Sequence, residues 1–187
     1  MRRIRPGSPC ISHLAGALAL VASACGQTAP DPSVLQETIT IDQELSAEQQ
    51  QDVREAVKLW ARASGSAFNP ETSVGQVECG QPFAIKAIAE EGCGVGHALP
   101  EDEHMRVLGL ANAEAHTITV VAWLEGTRFR YNVAHELGHY LYVGHGEGLM
   151  AQERWGQEPV LTEQTVEELC SVLPCGPNAH STALATP

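Results

Sequence analysis

The chain has 187 residues, of which 43% are hydrophobic, and its formal net charge is −12. This length and composition are typical of one globular domain with additional processing segments. Phosphate backbones bind basic surfaces, so an acidic chain of this kind is not expected to bind nucleic acid. The sequence contains no internal repeat.

Residues 1–24 have the pattern of a signal peptide. A basic start is followed by an apolar run over Leu14–Val21, which is too short to span a membrane, and then by Ala22-Ser23-Ala24. Cleavage after residue 24 removes three of the 11 basic residues and none of the 23 acidic ones, which leaves a net charge of −15.

Cys25 would then be the first residue, and Val21–Cys25 resembles a bacterial lipobox. Ordinary secretion would cut the same bond, but acylation of Cys25 leaves an even number of cysteines, which an exported chain favours. We predict a lipid anchor at Cys25, a tether over residues 25–36, and a location at the bacterial cell envelope. By resemblance to bacterial lipoproteins, Gly26 indicates the outer membrane, and a periplasmic or secreted protein is the alternative.

The main folded domain is predicted over residues 37–175. Alternating apolar residues predict a first strand over Glu37–Asp42. Ser46 and Gln49 match a capping box, so a helix over residues 46–64 should follow, with an apolar face that packs on the core.

Three further strand regions are predicted: Val74–Ala89 holds one or two strands, and Arg106–Ala111 and Thr117–Ala122 follow it. His97 and His104 lie in or beside the acidic, glycine-rich loop between the first two regions. These two histidines lack the spacing that a second metal site would need.

A helix is predicted over Tyr131–Tyr142, after a polar connection at Glu125–Arg130. His135 and His139 are four residues apart, so they share one face of the helix, and both can bind Zn²⁺ at about 2.0–2.1 Å. Glu136 would point beside the metal, where a carboxylate can take a proton from a metal-bound water.

His145 follows His139 by six residues, beyond Gly144, where the helix can end. The returning chain can supply a third ligand and leave a fourth position open for water, which is the arrangement of a catalytic zinc site. Two alternatives remain open: a plain buried helix with hydrogen-bonded histidines, or a third ligand from Glu147 or Glu153.

The stretch from His135 to His145 resembles the extended zinc signature HExxHxxGxxH of the metzincin metallopeptidases. The family glycine falls at Tyr142 here, so either this residue adopts a strained φ or the turn moves along the chain. The family also carries a methionine in a turn beneath the metal, for which Met150 is the candidate, with ordinary core packing as the alternative. The resemblance is clearest over residues 117–151.

The resemblance implies an α+β fold with a twisted, mostly parallel sheet of four to five strands, two main helices, a zinc cleft and a small C-terminal subdomain with a last helix. Peptide substrates of the family pair with an edge strand, for which Arg106–Ala111 is the candidate by position. Arg106, Leu108 and Leu110 are therefore candidate cleft residues, and a structural hairpin is the alternative. Trp155 would shape the substrate pocket, unless it only packs on the surface.

The last helix is predicted to begin after Thr162, which can cap it. Four cysteines of the domain allow three pairings, and we favour the local one. It joins Cys79 with Cys93 and Cys170 with Cys175. Residues 176–187 are predicted to be disordered.

Together these features predict a zinc-dependent endopeptidase with one Zn²⁺ per chain, held by His135, His139 and His145. Glu136 would take the proton of the water and pass it to the leaving amine. The expected partners are a protein or peptide substrate and, through the lipid, the membrane; we expect a monomer. The alternative is a non-catalytic envelope lipoprotein that binds a protein or peptide, which Tyr142 favours, and a zinc hydrolase for a non-peptide amide is a third interpretation.

Overall fold

The computed structural model describes residues 34–96, 98–99, 102–151 and 158–179. Within them the chain forms an α+β fold with three α-helices and two sheets. The helices are α1 (Ala47–Ala63), α2 (Gly126–Tyr140) and α3 (Glu163–Val172). The strands are β1 (Ile39–Asp42), β2 (Thr72–Gly75), β3 (Ala84–Ile88), β4 (Ala98–Leu99), β5 (Asp102–Arg106), β6 (Gly109–Asn112) and β7 (Thr117–Val121). Among the described residues, no helix has the length and apolar content that crossing a membrane requires.

The central sheet has five strands in the order β2-β1-β3-β7-β6. Its first three pairs are parallel, and β6 is antiparallel to β7 at one edge. The prediction of a mostly parallel sheet of four to five strands is therefore confirmed at this level. β4 and β5 form a separate two-stranded antiparallel sheet.

Helix α1 fixes the position of α2, the helix that carries the first two histidines. Ser46 caps α1 as predicted: its hydroxyl accepts from the Gln49 N–H at 3.2 Å, and the Gln49 side chain accepts from the Ser46 N–H at 2.9 Å. The buried Trp60 donates from Nε1 to the carbonyl of Ala134 in α2 at 2.8 Å. Gly138 permits this close approach, because a Cβ there would lie 2.8 Å from the Trp60 ring.

The predicted start of the second helix is wrong. Residues 125–130 are not a polar connection, because α2 already begins at Gly126. Phe129 is fully buried, four residues before the buried Val133, so the apolar face of the helix extends one turn further toward the N-terminus than predicted.

The predicted strand Arg106–Ala111 is also wrong, because it is divided between two sheets. β5 ends at Arg106 and β6 begins at Gly109. In between, the Val107 carbonyl accepts a hydrogen bond from the Gly96 N–H at 2.7 Å, so the chain pairs with a loop there before it joins β7.

The folded part extends beyond both predicted limits. Leu35, assigned to the tether, is buried in the core. At the other end, the Gly176 N–H donates to the Ser64 carbonyl at 3.0 Å, and Ala179 is buried. Residues 176–179 are therefore packed, and the prediction of disorder is wrong for them.

Both predicted disulfides are present. The Cα atoms of Cys79 and Cys93 are 5.6 Å apart, and those of Cys170 and Cys175 are 5.2 Å apart. The first pair joins the loops on either side of β3, and the second holds the segment that follows α3 against the end of that helix.

Candidate metal centre

The first two histidines lie one turn apart on α2, and the backbone orients both rings. Nδ1 of His135 donates to the Leu149 carbonyl at 2.8 Å, and Nδ1 of His139 donates to the Val143 carbonyl at 2.9 Å. Because a carbonyl can only accept, each neutral ring keeps its proton on Nδ1 and presents an unprotonated Nε2. This is the tautomer that a metal ligand bound through Nε2 requires.

Helix α2 ends in a backbone motif that turns the chain back. The Tyr142 N–H donates to the His139 carbonyl at 3.0 Å, and the Val143 N–H donates to the Gly138 carbonyl at 2.9 Å, which together form a Schellman motif. Tyr142 occupies the left-handed position of this motif with a φ of 66°. Of the two outcomes foreseen for this residue, the strained φ is the one observed, at a cost of about 1–2 kcal/mol.

The turn brings the third histidine to the other two. Nε2 of His139 lies 3.1 Å from Nε2 of His135 and 3.0 Å from Nε2 of His145, and the three ligand atoms lie within 4.8 Å of one another. Two nitrogens bound to one tetrahedral Zn²⁺ lie about 3.3–3.4 Å apart. The facing lone pairs of His135 and His139 repel each other unless a cation lies between them, so this donor set fits a metal ion.

Burial decreases across the group, from the buried His135 through the half-buried His139 to the exposed His145. Burial lowers the pKa of His135 to about 4 and also lowers the pKa of His139. Both rings are therefore neutral at physiological pH, so protons do not compete with a metal for them. The exposed side at His145 leaves the group accessible to solvent and to a ligand.

Glu136 faces β6 and does not belong to the histidine group found among the described residues. Its side chain is buried, and its carboxylate accepts a hydrogen bond from the backbone of Ala111. Burial raises the pKa of Glu136 to about 8, although the Ala111 hydrogen bond opposes this. A carboxyl group with such a pKa can accept and release a proton near neutrality.

Two further residues position Glu136, and neither was predicted from the sequence. A Cβ on Gly109 would lie 2.5 Å from Cγ and 2.6 Å from Oε1 of Glu136, so only glycine lets β6 approach this closely. Asn132, one turn before Glu136, donates from Nδ2 to the Leu108 carbonyl at 2.8 Å and so fixes the start of β6 on α2. The sequence did carry a signal for one of them: Gly109 lies inside a predicted strand, where a glycine often marks a close approach to the backbone.

Met150 closes a short 3-10 turn over Gly148–Met150 and is 1% exposed. Its thioether lies against Gly138, on the side of α2 that packs into the core. Its neighbour Leu149 supplies the carbonyl that orients the His135 ring. The backbone of this turn therefore orients the His135 ring, while the Met150 side chain itself packs in the core.

The other candidates from the sequence do not form a common surface. Leu110 of β6 is exposed and Leu108 is half-buried beside it, whereas the exposed Arg106 lines a different cavity, next to Trp123. Glu147 is exposed and is not in the histidine group found in the described part of the chain. Some predicted positions lie outside the described residues: Cys25, Glu153, Trp155, His97 and the side chain of His104.

No protein-family model and no curated protein matches this chain. Three local features of the structure therefore indicate what the chain can do. They are the histidine group, the buried carboxylate of Glu136 and the edge strand β6.

Proposed function

We propose that the protein is a zinc-dependent peptidase with a metzincin-like site. The observation that carries this proposal is the convergence of the imidazoles of His135, His139 and His145, with Nε2–Nε2 distances of 3.1 and 3.0 Å along the group. Three histidines with an accessible side are typical of catalytic rather than structural zinc. Zinc bound there would polarise a substrate carbonyl and lower the pKa of a water molecule.

Glu136 is the residue that we assign to proton transfer. Its carboxylate lies beside the edge strand that a substrate would meet, and burial holds its pKa near neutrality. In the proposed reaction a C–O bond to the attacking water forms and the amide C–N bond breaks. Glu136 accepts the proton that the water loses and donates it to the leaving amine nitrogen.

The substrate would bind as an added strand on β6. The backbone of Ala111 bonds to Glu136 while β6 pairs with β7 on its other side, so the free edge of β6 lies on the side of the carboxylate. An extended peptide that pairs with this edge would carry its backbone past Glu136. The candidate edge is thus Gly109–Asn112 rather than the longer segment expected from the sequence.

Attachment to the cell envelope through a lipid on Cys25 is part of the proposal, and its support is the lipobox-like sequence alone.

The non-catalytic alternative drew its support from Tyr142, which could have displaced the third histidine. Because His145 nevertheless lies 3.0 Å from His139 in the structure, that support is weakened. Glu136 also favours catalysis, since a binding protein has no need of a buried carboxylate next in sequence to a histidine of the metal-binding group.

The test compares the full chain with its Glu136→Ala variant, both exported so that disulfides form. We expect about one zinc per chain in each protein, and peptide cleavage by the wild type that a chelator abolishes. The variant should lose about 10²–10⁴-fold in turnover, the usual contribution of acid–base catalysis. Glu147→Gln, at an exposed acid near the third histidine, is the matched control. Undiminished turnover by Glu136→Ala, or a folded wild type without zinc, would contradict the proposal.

A further inference from the structure

We infer that the cavity beside His139 binds a lysine or arginine side chain of the substrate close to the scissile bond. This inference rests on the proposed peptidase function and names a substrate class for it. The cavity has a volume of about 440 Å³, and His139 forms part of its wall. Ligand sites in proteins typically measure about 300–1,000 Å³, and a side chain held in this one would adjoin the metal centre.

Glu168 supplies a fixed negative charge in this cavity. The half-buried carboxylate reaches the cavity from α3, and its Oε1 accepts from the Gly144 N–H at 2.8 Å. The second oxygen has no hydrogen-bond partner among the described residues. A carboxylate that is held at one oxygen and free at the other can accept a charge-assisted hydrogen bond from an ammonium or guanidinium group.

A second carboxylate, that of Glu114, also lines the cavity. Glu114 lies in the turn after β6, and its charge adds to the effect of burial in raising the pKa of Tyr142, another residue of the cavity wall. Within the described part of the chain, neither Glu114 nor Glu168 forms an ion pair, and none of the described residues that line the cavity is a lysine or an arginine. The cavity therefore presents uncompensated negative charge to a substrate.

The edge strand leads into this cavity, which limits the position of the basic residue. Gly109 at the start of β6 contacts Glu136, and Asn112 at its end lines the cavity. An extended peptide advances about 3.3 Å per residue, so the side chain that enters the cavity belongs within about three residues of the bond attacked. A peptide antiparallel to β6 would present a residue on the N-terminal side of that bond, and a parallel peptide would present one on the C-terminal side.

The experiment uses the zinc-loaded full chain and one peptide series in which a single position carries lysine, arginine, norleucine or glutamate. Cleavage is followed by mass spectrometry, and equilibrium binding of the same peptides is measured by calorimetry. Glu168→Gln removes the charge but keeps an acceptor for the Gly144 N–H, and Glu167→Gln, exposed on the same helix, is the matched control. We expect wild type and Glu167→Gln to favour lysine or arginine over norleucine by about tenfold or more, and Glu168→Gln to lose that preference.

The outcomes separate this inference from the proposed function. Cleavage without a preference for basic residues, or with a preference that Glu168→Gln leaves unchanged, overturns the inferred binding of a basic side chain but not the proposed peptidase function. Binding of the lysine peptide that depends on Glu168 but is not followed by cleavage supports the binding of a basic side chain and overturns the peptidase function. If the peptides are neither cleaved nor bound with a basic preference, both proposals are wrong. Equal zinc content of the three proteins controls for damage to the fold.

Discussion

Replacement of Gly109 by alanine tests whether the close packing of β6 against Glu136 holds the carboxylate in position. The added Cβ would lie 2.5 Å from Cγ, 2.6 Å from Oε1 and 2.7 Å from Cδ of Glu136, so these atoms must separate. The strand cannot easily retreat, because Gly109 pairs with Val120 of β7 and Asn132 holds the adjacent Leu108 carbonyl. We therefore expect the Glu136 side chain to move away from its hydrogen bond with β6.

The expected cost follows from three contributions. Overpacking a buried position costs about 1–3 kcal/mol, and loss of the hydrogen bond from Ala111 adds about 1 kcal/mol. Alanine in place of glycine within a strand offsets about 0.5–1 kcal/mol through the unfolded state. The net loss in unfolding free energy should be about 1–3.5 kcal/mol. Turnover should fall about 100-fold, because a displacement of about 1 Å has effects of that size, while zinc content should not change.

The assay is urea unfolding of the metal-free protein in four forms: wild type, Gly109→Ala, Glu136→Ala and the double variant. Because the three nearest atoms to the added Cβ all belong to Glu136, Gly109→Ala in the Glu136→Ala background should keep only the offset of about 0.5–1 kcal/mol in its favour, which corresponds to a coupling energy of about 2–4 kcal/mol. Gly75→Ala, on the opposite edge strand with its nearest contact at 3.4 Å, is the control and should change stability by less than about 1 kcal/mol. An equal cost of Gly109→Ala in both backgrounds would refute this account.

Three other predictions concern the scaffold. Asp42 is 1% exposed and accepts from Lys86 Nζ at 2.7 Å, so Lys86→Met should cost about 1.5–3 kcal/mol in urea unfolding at neutral pH, because the buried carboxylate loses its cationic partner but keeps the hydrogen bonds from the N–H groups of Ala87 and Glu44. Burial lowers the pKa of Lys86, but its hydrogen bond with Asp42 and the nearby charges raise the pKa overall above the usual 10.5. The stability that this pair contributes is therefore present below pH 10.5 and is lost as the pH rises through the folded-state pKa. Lys86→Met should not show this loss. Tyr142→Gly relieves the strain at positive φ but removes the hydrogen bond from the Tyr142 hydroxyl to the Ala113 carbonyl, so it should keep its zinc and change stability by less than about 1 kcal/mol. Tyr142→Val, with a β-branched residue at positive φ, should lose stability and zinc occupancy together, as measured by unfolding and metal analysis. Replacement of both Cys79 and Cys93, which are 14 residues apart, by serine should cost about 3 kcal/mol in thermal unfolding, and an unchanged midpoint would contradict the stabilising role of this disulfide.

Elements with strong local signals could be predicted from the sequence. α1 begins where its capping box places it, and Thr162 caps α3 by accepting from the Thr165 N–H at 3.2 Å. In both cases a side chain close in sequence bonds the free backbone groups of the first turn, so no distant contact is needed. The local cysteine pairing was predictable for a similar reason, since each pair closes a short loop.

Elements without such signals were misplaced. α2 begins at Gly126 with a φ of 54°, and the Glu125 side chain before it makes no capping hydrogen bond, so no capping residue in the local sequence marks this start. The break between β5 and β6 coincides with a hydrogen bond from the Gly96 N–H to the carbonyl of Val107, 11 residues later in the chain. Contacts of this kind arise from tertiary packing, and alternation of apolar residues cannot reveal them.

The spacing of His135, His139 and His145 correctly predicted that these histidines converge, in spite of Tyr142 at the position of the family glycine. The backbone of the turn explains why the tyrosine does not prevent this. The turn after α2 is held by N–H groups of Tyr142 and Val143, and the side chain at the left-handed position takes no part in those two hydrogen bonds. Glycine is preferred there only because it adopts a positive φ without strain, and the strain of another residue costs about 1–2 kcal/mol. Structural zinc contributes about 10–16 kcal/mol to the folding of small domains, so a metal that contributed only a fraction of that free energy would outweigh the cost of the strained residue. The ten-residue separation of His135 and His145 therefore constrains the site more strongly than the identity of residue 142 does.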